Sequence, residues 1–210
     1  MQIALKGHAF TLLHEKALWK EDEAILIIAD IHLGKASHFR KEGIPIPLQS
    51  QLSDYDNLRN LFNKTRAKKV YFLGDLFHSS FNKDWAHFEQ LVCEFTGIAF
   101  TLIKGNHDII DNELFSGLGV NVIDTYLEDR HFIYSHEPVS FTHEKLNIAG
   151  HIHPGISLSG IGRQSARLPC FYLSGNVFLL PAFGILTGLY SIPYSNAEIY
   201  AVLQGEIRKI

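Results

Sequence analysis

The sequence predicts an α/β protein whose later half is richer in strand, and three observations support this. Short apolar, β-branched or aromatic runs recur along the chain. Between the early ones lie two stretches with apolar residues at helical spacing, and the later runs crowd together without such stretches. In order, Ala24 to Ala29 is the first run, with the length and composition of a strand. Leu48 to Lys64 follows, with Leu48, Leu52, Tyr55, Leu58, Leu61 and Phe62 along one face of an amphipathic helix. Val70 to Leu73 reads as a strand, and Asp84 to Phe95 as a second helix through Trp85, Phe88, Leu91, Val92 and Phe95. Ala99 to Ile103, His131 to Ser135, Leu146 to Ala149, Cys170 to Leu173, Val177 to Leu180 and Ala197 to Leu203 complete the strands. Pro154 to Ser165, bearing Gly and Ser, reads as the flexible loop.

At 210 residues the chain is expected to form one domain over 1–210. Apolar residues at 46% and charged residues at 20% predict a packed core rather than disorder. The formal net charge of -3 lacks the basic surface of a tight non-specific nucleic-acid binder, so any polyanion contact must be local. Lys6, His8, His14, Glu15 and Lys16 interrupt the first twenty residues, which have neither a signal-peptide core nor a membrane span, so a cytoplasmic protein with no membrane contact is expected. Cys93 and Cys170 have no CxxC spacing, which sets aside a disulfide framework and a thiolate zinc site.

The 12 histidines are the unusual feature, and several sit where predicted strands end. Ala24 to Ala29 runs into Asp30 and His32, and Val70 to Gly74 into Asp75. Ala99 to Gly105 runs into Asn106, His107 and Asp108, His131 to Ser135 into His136, and Leu146 to Gly150 into His151 and His153. Ligands of open α/β sheets bind outside the carboxyl ends of the strands, which predicts one shared edge for all these groups. Residues two apart in an extended segment point the same way, so Asp30 with His32, and His151 with His153, can each aim two ligands at one spot. Gly74, Gly105 and Gly150 directly precede Asp75, Asn106 and His151, where a tight turn and a close backbone approach are needed. Carboxylate, amide oxygen and imidazole together suit Mn, Fe or Zn. So many ligands exceed one tetrahedral ion and suit two divalent ions roughly 3.5 to 4 Å apart, clamping an in-line displacement.

The series Asp30-Ile31-His32, Gly74-Asp75, Gly105-Asn106-His107-Asp108, His136 and Gly150-His151-Ile152-His153 resembles the full signature of the calcineurin-like metallophosphoesterases. The resemblance implies a sandwich of two mixed β-sheets flanked by helices in α-β-β-α order, with a dinuclear site at the strand ends. Carried over by position, it implies that Asp30, His32 and His153 hold one metal and Asn106, His136 and His151 the other, bridged by Asp75. His107 would meet the scissile phosphate and protonate or stabilise the leaving oxygen, and Asp108 would orient His107. A narrower resemblance rests on His32-Leu33-Gly34-Lys35, His38-Phe39-Arg40, Gly43-Ile44-Pro45-Ile46-Pro47, Gly74-Asp75-Leu76-Phe77-His78-Ser79, Arg167-Leu168-Pro169-Cys170-Phe171 and Leu180-Pro181-Ala182-Phe183-Gly184. These segments are similar to the ligase-associated DNA damage response endonucleases. That branch implies a manganese-dependent phosphodiesterase or nuclease acting on DNA, with DNA ligase or helicase repair enzymes as partners.

No GxSxG or comparable nucleophile motif is present, consistent with direct hydrolysis without a covalent intermediate. Lys35, Arg40, Arg163 and Arg167 are candidate phosphate contacts, since guanidinium forks suit phosphate oxygens. His78 would face the substrate if a helix starts after Asp75. His8, His14, His38, His87, His131 and His143 have no comparable context and read as structural or solvated residues. Two other functions fit the same residues: a small-molecule phosphatase for nucleotides or sugar-nucleotide pyrophosphates, and a non-catalytic scaffold that keeps the fold.

Overall fold

A computed structural model describes residues 1–47, 49–78, 84–140, 144–160 and 165–210. The first sheet follows chain order: β1 (Gln2–Leu5), β2 (His8–Leu13), β3 (Ala17–Lys20), β4 (Ile25–Ala29), β5 (Lys69–Leu73), β6 (Ala99–Ile103) and β7 (Asn121–Ile123). Pairing is antiparallel from β1 to β4 and parallel from β4 to β7. Helices make the parallel crossovers: α1 (Lys35–Lys41) and α2 (Gln49–Thr65) before β5, α3 (Asp84–Glu94) before β6, and α4 (Asn112–Gly117) before β7. The second sheet is built from β8 (Tyr126–Glu128), β9 (Phe132–Ser135), β10 (Leu146–Ala149), β11 (Pro154–Ser159), β12 (Ser165–Ser174), β13 (Val177–Leu179) and β14 (Tyr190–Ser191). Their order in space is β14-β11-β12-β13-β10-β9-β8, and β15 (Glu198–Leu203) and β16 (Glu206–Lys209) extend from β12. In this sheet β9, β10 and β13 run parallel and the β11–β12 and β12–β13 pairs run antiparallel.

The strand period of two divides the side chains of β4 between two cores. Leu26 and Ile28 pack with Leu58, Leu61 and Phe62 of α2, Phe88 and Leu91 of α3 and Phe115 of α4. Ile25, Ile27 and Ala29 pack with Phe132, Tyr134, Ile148, Phe171 and Phe178 of the second sheet. All five residues of β4 are therefore buried, as expected of a strand covered on both faces. The result is the expected pair of mixed sheets flanked by helices, with the described helices all before Leu118 and α2 to α4 on the outer face of the first sheet. A third cluster, including Ile156, Cys170, Ile192 and Ile199, belongs to the second sheet.

Both predicted helices and all eight predicted strands are present. The Pro154 to Ser165 reading is corrected, because Pro154–Ser159 is a strand paired with β12 from Gly155↔Pro169 to Ser159↔Ser165. Burial of Ile156 at 1% exposure outweighs its Gly- and Ser-rich neighbours. Among the described residues no helix is long and apolar enough to cross a membrane.

Candidate metal centre

The parallel strands bring the polar residues that follow them to one edge. Ala29, Leu73 and Ile103 lie side by side across β4, β5 and β6, as do Ser135 and Ala149 across β9 and β10. Asp30, His32, Asp75 and Asn106 leave the first sheet at that edge, and His136, His151 and His153 leave the second. The ladders continue through the loops: Asp30 N donates to Gly74 O (3.2 Å), His32 N to Asp75 O (2.9 Å) and Gly150 N to His136 O (2.9 Å). Buried Asn147 braces the loop after β9. Its Oδ1 accepts from Val139 N (2.9 Å), and its Nδ2 donates to Ser135 Oγ (2.8 Å).

Two groups of converging ligand atoms result. One is Asp30, His32 and His153; the other is Asp75, His136 and His151. Asp75 faces both, with Oδ2 3.7 Å from His32 Nε2 and Oδ1 3.5 Å from His136 Nε2. Asn106 joins the second group through Oδ1, 3.1 Å from His136 Nε2. Asp30 Oδ1 lies 3.3 Å from His153 Nε2, and the same carboxylate accepts from His151 N (2.9 and 3.1 Å), which ties the groups together.

The glycines before the ligands act as the sequence suggested. A Cβ on Gly74 would overlap the His136 ring, and one on Gly105 would overlap Asp75. One on Gly150 would lie 2.6 Å from Asp30 Oδ2. Asp30, His32, Asp75, His151 and His153 all have positive φ, between 49° and 64°. Such conformations cost a non-glycine residue on the order of 1–3 kcal/mol each, and they mark functional sites when several cluster.

The donor set fits a pair of cations. His136 Nδ1 lies 3.0 Å from Leu73 O, so its proton sits on that nitrogen and Nε2 presents a lone pair. That lone pair faces another acceptor, Asn106 Oδ1, an arrangement that a cation relieves, and His151 Nδ1 lies 3.0 Å away. Both ring nitrogens of His32 and Nε2 of His153 are buried without a hydrogen-bond partner. Burial, reinforced by Lys35 and the neighbouring histidines, lowers the His32 pKa to about 2, which keeps the ring neutral as a ligand must be.

The profile of the calcineurin-like phosphoesterase family matches residues 24–174, which contain every one of these groups. The chain belongs to that family. It is a metal-dependent phosphoesterase of the calcineurin-like type. A crystal structure of a Pseudomonas putida nuclease, MPE, is similar over 100% of this chain and 99% of that one, with 29% identity and a TM-score of 0.84. A phosphoesterase from E. coli, Yfce, has 14% identity over 89% of this chain and 97% of its own, with a TM-score of 0.43. No curated protein sequence matches the chain.

The remaining predicted residues of this phosphoesterase fall in different places. The His107 ring stands 5.4 Å from His32 and stacks 5.6 Å from His78, while its backbone N–H donates to Asp75 Oδ1 (2.9 Å). Asp108 meets backbone donors of two loops. Its buried carboxylate accepts from Leu76 N (2.9 Å), Phe77 N (3.3 Å) and Gly105 N (2.9 Å), so it pins together the two loops of the first sheet that carry the candidate ligands Asp75 and Asn106. Burial pushes its pKa up to about 6 against the pull of those donors.

Residues 75–78 are not helical. Leu33 and Phe77 form a parallel bridge, and His78 N donates to Leu33 O (3.0 Å), which still carries His78 to within 5.6 Å of His32. Arg167 donates through its guanidinium to Leu189 O (2.6 Å) and Ser191 Oγ (3.3 Å), clamping β14. Arg40 lies on α1 and donates to Ser37 Oγ (3.4 Å). Lys35 is close enough to Asp75 and Asp30 for both to oppose the lowering of its pKa by burial. Arg163 and His143 lie outside the described residues. His38, read above as structural or solvated although it lies in a segment of the narrower resemblance, has its ring 4.9 Å from His78.

Proposed function

We propose that this phosphoesterase is a phosphodiesterase of the nuclease type, cleaving DNA or a related diester with two manganese ions. Asp75 carries the reading: a single buried carboxylate with one oxygen toward each of two imidazole-rich groups would serve two cations at once. Asp30, His32 and His153 would hold one ion and Asn106, His136 and His151 the other. When bound, such ions supply Lewis-acid stabilisation of phosphoryl oxygens and a water acidic enough to ionise near neutral pH. The full-length likeness to a nuclease supports a phosphodiester substrate, and the mixture of imidazole with oxygen ligands supports manganese, with iron or zinc as alternatives.

The protein's own residues do the rest. His107 is half-buried beside His32 and His78, outside both ligand groups, in reach of a leaving oxygen to which it can give a proton. Lys35 supplies positive charge at the same edge. Asp108 keeps the Asp75 and Asn106 loops at fixed separation, so the groups need little reorganisation as charge develops.

The test is an assay with manganese over bis-p-nitrophenyl phosphate, p-nitrophenyl phosphate and single- and double-stranded DNA. Faster turnover of the diester, with DNA cleavage, is expected. Activity confined to the monoester sinks the phosphodiesterase reading.

A further inference from the structure

We propose that the groove beside Asn106 and His136 is a subsite for a nucleoside, the alcohol that stays on phosphorus while the other ester leaves. This deepens the phosphodiesterase reading and rests on it. The groove has a volume of about 660 Å³, within the range of small-molecule clefts, and it opens directly from the second ligand group. Its walls are the loop after β6, the turn between β7 and β8 and the loop after β9, represented by Lys104, Asp124, Thr125, Glu137 and Val139.

Three observations assign the retained alcohol to this side. First, His107, proposed above as the proton donor, is on the other side: its ring packs on His32 and His78 at the first ligand group. The leaving oxygen must face that ring, and the groove at the second group is left for the substituent that remains. Second, the groove's charge disfavours a further phosphoryl group. Asp124 and Glu137 outnumber Lys104, whose ammonium already donates to Asn112 Oδ1 (3.0 Å). An uncharged sugar and base avoids that repulsion, and the carboxylates can accept its hydroxyl and N–H groups. Third, the walls are held in place. Lys104 N donates to Ile123 O (2.9 Å), which ties the first wall to β7, and buried Asn147 holds Val139 N on the third. A preformed cleft loses little on binding.

Thr125 is exposed in the β7–β8 turn, so Thr125→Trp can narrow the groove without disturbing a core. The manganese-loaded enzyme is assayed with thymidine 5′-(p-nitrophenyl phosphate) and with methyl p-nitrophenyl phosphate, which share a leaving group and differ in the retained alcohol. The substitution should raise KM for the thymidine ester at least tenfold and leave the methyl ester within twofold. Calorimetry provides a readout without turnover: thymidine 5′-phosphate should bind at least tenfold tighter than inorganic phosphate, and Thr125→Trp should remove the difference. An equal change for both esters, or for neither, overturns the assignment. If the unsubstituted enzyme turns over neither ester, the phosphodiesterase reading fails instead, and the calorimetric comparison still decides whether the groove takes a nucleoside.

Discussion

Gly150→Ala tests whether the site depends on the close approach of backbone to ligand. Unlike Gly74, Gly150 does not have positive φ, so alanine meets no backbone penalty there and the effect is steric. The new methyl would lie 2.6 Å from Asp30 Oδ2, 2.7 Å from Ala29 Cβ and 3.2 Å from Leu73 O. None of these can retreat easily. Asp30 and Ala29 are fully buried, and the Asp30 carboxylate is fixed by the N–H of His151, the residue that follows the substituted glycine. Overpacking of this kind costs about 1–3 kcal/mol. If the strain is relieved by displacing Asp30, the penalty appears in metal affinity, where about 1.4 kcal/mol is tenfold, so manganese should bind roughly ten- to a hundredfold more weakly. Gly97→Ala is the control, since a Cβ there meets nothing within 4 Å. Calorimetric titration with manganese, alongside melting of the metal-free proteins, separates site damage from general destabilisation. Affinity within twofold of the unsubstituted protein, with an unchanged melting temperature, would refute the reasoning.

Asp75→Ala removes the carboxylate common to both groups, so metal analysis after manganese loading should find both ions lost; two retained ions would end the bridging assignment. His107→Ala should keep both ions and lose roughly a hundred- to ten-thousandfold in turnover, read by combining metal analysis with a diester assay; full turnover would remove the proton-donor role. Burial pushes Asp54 up to about 6 from 3.8, although Ile185 N donates to it and Lys16 opposes the shift. The folded state thus holds this proton more tightly than the unfolded chain. The stabilisation is fully present below about pH 3.8 and is lost as pH rises through about 6. At pH 7.5 the ionised group costs roughly 3 kcal/mol, so metal-free Asp54→Asn should melt several degrees higher there and equally at pH 3.5, as calorimetric scans would show.

The parallel strands were legible because β4, β5, β6, β9 and β10 are largely buried and read as short, mostly apolar runs, interrupted within only by Thr101 in β6 and Asn147 in β10. The strands β1 and β2 were not: Gln2–Leu5 is four residues long and largely exposed, and in His8–Leu13 the polar His8 and Thr11 interrupt the apolar residues around buried Phe10 and Leu12. The seven proposed ligands were visible because each follows such a run. His78 and His38 were harder to place. Neither ends a strand, and their proximity to His107 comes from the bridge between Leu33 and Phe77, a long-range pairing with no local pattern. Asp108 was placed by resemblance alone, which implied that it orients His107. In the fold a buried carboxylate is drawn to the densest set of donors, and the N–H groups of Leu76, Phe77 and Gly105 all converge on it.

The same competition explains how five ligands can hold a backbone conformation that costs them energy. A left-handed residue persists only where its neighbours leave it no alternative. Asp30 and His32 are locked from two sides. On one, their N–H groups pair with Gly74 O and Asp75 O of the adjacent loop; on the other, Phe183 N and Gly184 N donate to Ala29 O (2.9 Å) and Asp30 O (3.1 Å). Gly184 packs so tightly against Ile31 O that a Cβ there would collide with it. Residues 181–184, which carry no ligand, are in that sense part of the metal site. The backbone conformation at Asp30 and His32 is held in part by a segment some 150 residues away in sequence.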